Sequence, residues 1–130
     1  MSTTILLVDD HRIVREGLRT LLGQQPDLEV VGEAADGREA VTQARLLRPD
    51  VIVMDIAMPE LNGVEATRLV LAELPQVRVV ALSMYADRRF VAEILRAGAL
   101  GYVLKDGAFE ELALAIRTIT AGKTSLSPSI

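Results

Sequence analysis

A doubly wound α/β domain is the fold class this sequence predicts: an open, five-stranded parallel sheet with helices on both faces. Three observations carry the expectation. Five short runs read as strands, most of them nearly continuously apolar, the composition of parallel strands buried on both faces. Segments with helical spacing lie between them, so strand and helix alternate five times. Parallel strands also need right-handed crossovers, and helices on both faces are the simplest way to pack them.

The first strand runs from Thr4 to Val8 and is followed by a helix carrying Val14, Leu18 and Leu21 on one face. The second, Leu28 to Glu33, precedes a helix with Val41 and Ala44 inward. After the third strand, Val51 to Met54, Asn62 stands three residues before Glu65 and resembles a capping box opening the third helix. The fourth strand, Val77 to Leu82, leads to a helix spaced by Phe90, Ile94 and Ala97. The fifth, Leu100 to Leu104, leads to one spaced by Leu112, Ile116 and Ile119, with Asp106 placed to cap it. Gly23 and Gly98 sit where helices should end. The stretch from Lys123 to Ile130 is Ser-rich, contains Pro128 and has lost helical periodicity, so it reads as a linker or tail.

Composition bounds the function. The 130 residues are one domain's worth, and the hydrophobic half of them supports a sizeable core. Eighteen acidic against 14 basic residues give a net charge of −4, which argues against a direct grip on nucleic acid. With only two Tyr, two Phe and no Trp, there is no stacking platform for single strands either. Cysteine is absent and His11 is the sole histidine, excluding disulfides, thiol nucleophiles and thiolate or imidazole zinc sites. Any metal is therefore expected on oxygen ligands. Apolar runs such as Ile5 to Val8 are too short to span a bilayer, and Met1 to Thr4 lacks the basic start of a signal peptide. A cytoplasmic protein without a membrane partner is expected.

In open α/β sheets ligands bind at the carboxyl ends of the strands, near the point where strand order reverses. The first strand ends in Asp9 and Asp10, the third in Asp55, the fourth in Ser83 and the fifth in Lys105, whereas the second runs out in Glu33 and Ala34 and offers less. With strand order 2-1-3-4-5 the three aspartates converge at the switch point. Each like-charged pair there costs roughly 4 kcal/mol at about 4 Å and an effective dielectric of 20. A divalent cation together with Lys105 balances the three charges. Magnesium suits the site, because it takes one or two carboxylates plus waters and phosphate oxygens. A carboxylate beside it is a nucleophile for phosphorus, so the chemistry read here is phosphoryl transfer onto an aspartate, with Ser83 donating to and Lys105 pairing with the arriving oxygens. Taken singly, Asp9 and Asp10 read as a helix start, Asp55 as a turn residue, Ser83 and Lys105 as surface groups and Tyr102 as half-buried packing. Their joint arrival at four strand ends is what points to a site. His11 reads as a first-turn helix residue with no catalytic role. Arg38, Glu39, Arg45, Arg48, Glu65, Arg68 and Glu73 read as a solvated face.

Over residues 3 to 122 the chain resembles the receiver domain of two-component response regulators, in the branch that carries a LuxR-type (NarL/FixJ-like) DNA-binding region. The resemblance rests on Leu7-Val8-Asp9-Asp10-His11, Pro49 through Ile56 around Asp55, Met58-Pro59 with Asn62-Gly63, Leu82-Ser83, and Gly101 through Asp106. It implies a flavodoxin-like receiver fold and makes Asp55 the phosphoacceptor. Asp10 would be a direct magnesium ligand, Asp9 a largely water-mediated one, and the Ala57 carbonyl a further ligand. Ser83 and Tyr102 would relay phosphorylation, the ring turning inward as the hydroxyl moves, and Lys105 would read the new charge. The sequence departs from the general receiver pattern at Asp106, which follows Lys105 where many receivers have proline, so no cis peptide is expected there. Met84 is bulkier than the usual residue after the hydroxyl, and Ala57 offers no polar side chain; both bear on the lifetime of the phosphorylated form.

The implied function is a switch, not a turnover enzyme: a sensor histidine kinase phosphorylates Asp55, and self-association or an attached effector responds. A phosphohydrolase with an aspartate nucleophile would carry a second acid where Ala57 stands. A dinucleotide-binding module would need G-x-G-x-x-G after the first strand, where Asp9-Asp10-His11-Arg12 stands instead. Residues 1–122 are expected to be the receiver domain and 123–130 the start of a linker to a helix-turn-helix region of a transcription regulator, through which alone DNA would be bound. A free-standing receiver relaying phosphate or binding a partner protein is the alternative. Homodimerisation on phosphorylation is expected through a face including the first and fifth helices, or through the fourth helix with the fifth strand and fifth helix.

Overall fold

The structure is a computed structural model that describes residues 2–56, 62–84 and 88–126. Strands and helices alternate as β1 (Thr3–Val8), α1 (Arg12–Gly23), β2 (Leu28–Ala34), α2 (Gly37–Leu47), β3 (Val51–Asp55), α3 (Gly63–Glu73), β4 (Arg78–Ser83), α4 (Arg88–Ala97), β5 (Gly101–Leu104), α5 (Ala108–Thr120) and β6 (Ser125–Leu126). Each of the five expected strands starts and ends within one residue of the observed bounds. The sheet is parallel throughout, in the order β2-β1-β3-β4-β5-β6. The reversal on either side of β1 brings the carboxyl ends of β1 and β3 together, as the switch-point argument requires.

The expected count of five strands is corrected to six. Two residues of the stretch read as linker or tail, Ser125 and Leu126, pair with Gly101 and Tyr102 at the open edge of β5. A two-residue strand is too short to show alternation, so nothing in the local sequence announces it. The turn that delivers it is made at Gly122, whose φ of +87° lets Gly122 and Lys123 donate to the Ile119 and Thr118 carbonyls.

Side-chain alternation along the strands divides the core into two layers. Leu6, Val8, Ile52, Met54, Val79, Ala81 and Tyr102 pack toward α2, α3 and α4, while Ile5, Leu7, Val51, Val53, Val80, Leu82 and Val103 pack toward α1 and α5. Helix α1 contributes Leu18 and Leu22, one position beyond the expected Leu21.

Several helix termini follow local chemistry, and the start of α5 departs from the expected cap. Asn62 accepts from the Glu65 N–H at 3.0 Å, though the Glu65 carboxylate pairs with Arg68 and does not reach back to complete the box. Gly98, at φ +115°, closes α4 in a Schellman turn with Gly98 and Ala99 donating to Leu95 and Ile94. Asp106 does not cap α5. The chain leaving β5 tightens into a 3-10 turn over Lys105–Gly107, which leaves Gly107 at the cap position without a side-chain bond.

Candidate functional site

Ending β1 and β3 at the switch point places two buried carboxylates side by side, each about 1% exposed. Asp9 is held from both directions: its N–H donates to the Ala34 carbonyl at 3.1 Å, and its Oδ1 accepts the His11 N–H at 2.8 Å. From the far side of the sheet, the first residue of the 3-10 turn reaches back between the acids. Lys105 Nζ lies 3.0 Å from Asp9 Oδ2 and 3.1 Å from Asp55 Oδ2. Amine and central acid are thus in direct contact. Burial works to lower the Lys105 pKa, but the hydrogen bond to Asp55 and the negative charges of Asp9 and Asp55 outweigh it and hold the ammonium above its ordinary value.

Asp10 turns outward at the rim, its Oδ1 3.2 Å from His11 Nδ1. Ser83 ends β4, buried, one residue past the Leu82 that pairs with Asp55. Tyr102 on β5 is fully buried among the α2, α3 and α4 layer, not half-buried as the residue taken singly suggested. The expected Ala57 carbonyl lies outside the described residues. Among the described residues no peptide bond is cis. Gly63, first in α3, presses on the backbone that follows β3: a Cβ there would fall 2.6 Å from Ile56 Cα and closer still to the Asp55 carbonyl oxygen.

Does this donor set fit a divalent cation? Asp9, Asp10, His11 and Asp55 each offer a ligand atom within 4.8 Å of the others. Asp9 Oδ2, although close to Lys105, accepts no aligned hydrogen bond among the described residues. A buried, under-satisfied carboxylate oxygen facing further carboxylates suits a hard cation, which supplies charge where a hydrogen-bond donor is missing. His11 lies against this cluster, its Nδ1 2.9 Å from Asp9 Oδ1 and 3.2 Å from Lys105 Nζ.

Sequence reasoning also undervalued the second strand. Glu33 Oε1 accepts from Arg15 Nε at 3.1 Å and Glu33 Oε2 from Arg19 at 2.5 Å, while Arg15 Nη1 donates to the Asp9 carbonyl at 2.6 Å. Beside the acids, a cavity of about 440 Å³ lined by His11, Val14, Met84, Lys105 and Asp106 opens to solvent.

Residues 5–117 match the family model described as the response regulator receiver domain. The chain belongs to that family. It is 40% identical over 126 residues to the transcriptional regulatory protein DegU of Brevibacillus brevis and 42% identical over 126 residues to the response regulator GacA of Pseudomonas viridiflava. These alignments take in 97% of this chain but 53% and 59% of the relatives, so the chain spans little more than half of their length. A crystal structure of a LuxR-family response regulator from Aurantimonas sp. SI85-9A1 superposes with a TM-score of 0.95 at 42% identity, covering 100% of this chain and 93% of that one. These relatives place this receiver in the NarL/FixJ-like branch. Response regulators are signalling switches, and the acidic pocket stands where receivers generally bind magnesium. No helix among the described residues is long and apolar enough to cross a membrane.

Proposed function

We propose that this receiver is a phosphorylation switch in which Asp55 is the phosphoacceptor. An Asp55 carboxylate oxygen attacks phosphorus, the phosphorus–nitrogen bond of a sensor kinase's phosphohistidine breaks, and the departing imidazole nitrogen takes up a proton. Bound magnesium, held by Asp9, Asp10 and Asp55 with the Ala57 carbonyl, would supply positive charge against the acids and the phosphoryl oxygens. The observation that carries the reading is the shared ammonium: Lys105 Nζ spans two buried carboxylates at 3.0 and 3.1 Å. Once Asp55 is phosphorylated, that ammonium pairs with the phosphoryl oxygens in its place. Ser83, at the end of the adjacent strand, donates to the same oxygens, and Tyr102, two positions from the end of β5, senses its movement.

Output follows from how a two-state domain responds: it shifts only by as much as the phosphoryl group prefers one state. The reading includes a cytoplasmic location and homodimerisation on phosphorylation. It also includes this domain acting as the receiver of a transcription regulator, expected over residues 1–122 and extended by β6, whose DNA-binding region follows a linker after that strand. The transcriptional regulatory name of the DegU relative, of which this chain spans 53%, supports that arrangement. Phosphotransfer from a labelled histidine kinase or a small phosphodonor tests the core of it. The parent protein should take up label with magnesium and lose uptake with a chelator, while Asp55→Asn takes up none. Label on Asp55→Asn overturns the assignment. Sedimentation with beryllium fluoride should shift the mass distribution toward dimer, and an unchanged distribution counts against dimer-based output.

A further inference from the structure

We propose that Arg15 is a positioning residue for the acidic site: clamped by Glu33 at the end of β2, its guanidinium fixes the Asp9 peptide and with it the aim of Asp9 and Asp10 at a divalent cation. The inference rests on the reading of those acids as cation ligands and adds the element that orients them.

Both peptide groups of Asp9 are tied to the end of β2. Its N–H goes directly to the Ala34 carbonyl, and its C=O goes through Arg15 Nη1, at 2.6 Å, to Glu33. Arg15 can serve as a rigid link because a planar guanidinium donates in two fixed directions at once, which a lysine ammonium on a flexible stem does not reproduce. The Glu33 end is rigid as well. Its second oxygen accepts from Arg19, one helical turn after Arg15, so the carboxylate cannot rotate away. Arg15 is 17% exposed, sheltered enough for these bonds to outweigh competition from water. Burial acts to raise the Glu33 pKa, but the hydrogen bonds from Arg19 and Arg15 prevail and hold it below its ordinary value, so the clamp is ionised at neutral pH.

The turn needs such a link. His11 stands at the cap of α1 without a side-chain capping bond, and the first turn of the helix carries no acid. Orienting partners behind metal ligands commonly matter about 10- to 100-fold in metal affinity.

Electrostatics and positioning predict opposite signs, which makes the test sharp. Removing a positive charge near three carboxylates should tighten cation binding if charge alone matters, and weaken it if Arg15 aims the ligands. Magnesium titration by calorimetry on the unphosphorylated chain reads the difference. Arg15→Met should raise the Kd about tenfold, with the labelling rate at saturating magnesium within about threefold of the parent. Arg12→Met, which removes the same charge from an exposed position on the same helix, should leave the Kd unchanged or lower it. Arg15→Lys keeps the charge and loses the fork, and should still raise the Kd about threefold or more. It decides the matter if Arg15→Met does not fold. Binding as tight as the parent in a folded Arg15 variant, or an equal weakening in Arg12→Met, overturns the proposal. Label retained on Asp55→Asn would sink the phosphoacceptor reading and leave the magnesium shift standing, whereas a parent protein without saturable magnesium binding would overturn both.

Discussion

Two aspartates flank or end the same strand, and the molecule treats them in opposite ways. Asp50, just before β3 at the amino edge of the sheet, is exposed and bonded to backbone: its Oδ2 accepts from the Thr4 N–H and Oγ1 at 2.9 and 3.1 Å, its N–H donates to the Thr4 carbonyl at 3.0 Å, and its carbonyl accepts from the Arg78 N–H at 3.0 Å. It stitches β1, β3 and β4 together. Asp55, at the carboxyl end of β3, is buried beside a second carboxylate and shares one lysine ammonium with it. An acid bonded to rigid backbone holds a register. An acid packed against another acid is held in a state that a bound cation relieves, and that is a condition for chemistry.

The largest expected effect breaks the carboxyl-edge arrangement. Lys105→Met leaves Asp9 and Asp55 buried without their shared cation and should cost about 3–5 kcal/mol in urea unfolding. Millimolar magnesium should restore more stability to this variant than to the parent, because the ion replaces the missing charge; equal gains would show that the acids do not depend on the ammonium. Next comes Gly63→Ala, whose Cβ collides with backbone at Asp55 and Ile56. Overpacking of this kind should cost about 2–3 kcal/mol and slow labelling of Asp55, since the Asp55–Ile56 peptide must shift. Wild-type stability there would mean that α3 sits less tightly on β3 than these positions show.

Asp50→Ala should cost about 1–2 kcal/mol through the lost carboxylate bonds to the Thr4 N–H and hydroxyl and leave the rate of Asp55 phosphorylation unchanged. Asp55→Asn should do the reverse, abolishing labelling while changing stability by less than about 1 kcal/mol or raising it, since a like-charge contact is removed. A labelling defect in Asp50→Ala would erase the contrast between the two edges. The smallest effect is a pH dependence behind the acids. Glu33 has a folded pKa lowered from 4.5, so its stabilising contribution is full above pH 4.5 and is lost as pH falls through the lower folded value. Glu33→Gln should therefore be about 1 kcal/mol less stable than the parent at neutral pH, and the two unfolding curves should converge in acid.

Apolar periodicity in the sequence was enough to establish strand number one through five, their bounds and the alternation with helices, because burial on both faces demands uninterrupted Val, Ile and Leu. The acids, hydroxyl and amine at the strand ends were legible for a related reason: a polar residue directly after such a run has one place to go. Asn62 and Gly98 also showed locally, since cap chemistry is read within a few residues. Other features were settled only by tertiary contact. β6 exists because the edge of β5 is open beside Gly101, and two residues carry no period of their own. Leu22 turns inward in place of Leu21 because the helix meets the sheet at a particular rotation. Asp106 lost its cap to a tighter turn. His11 entered the acidic cluster, and Glu33 came to support Asp9 through Arg15, because folding brought together groups whose separation along the chain conceals their distance in space. Composition and period act on neighbouring residues and so can be read from the chain, whereas ligand geometry depends on which strand lies beside which, and that is decided only when the sheet is assembled.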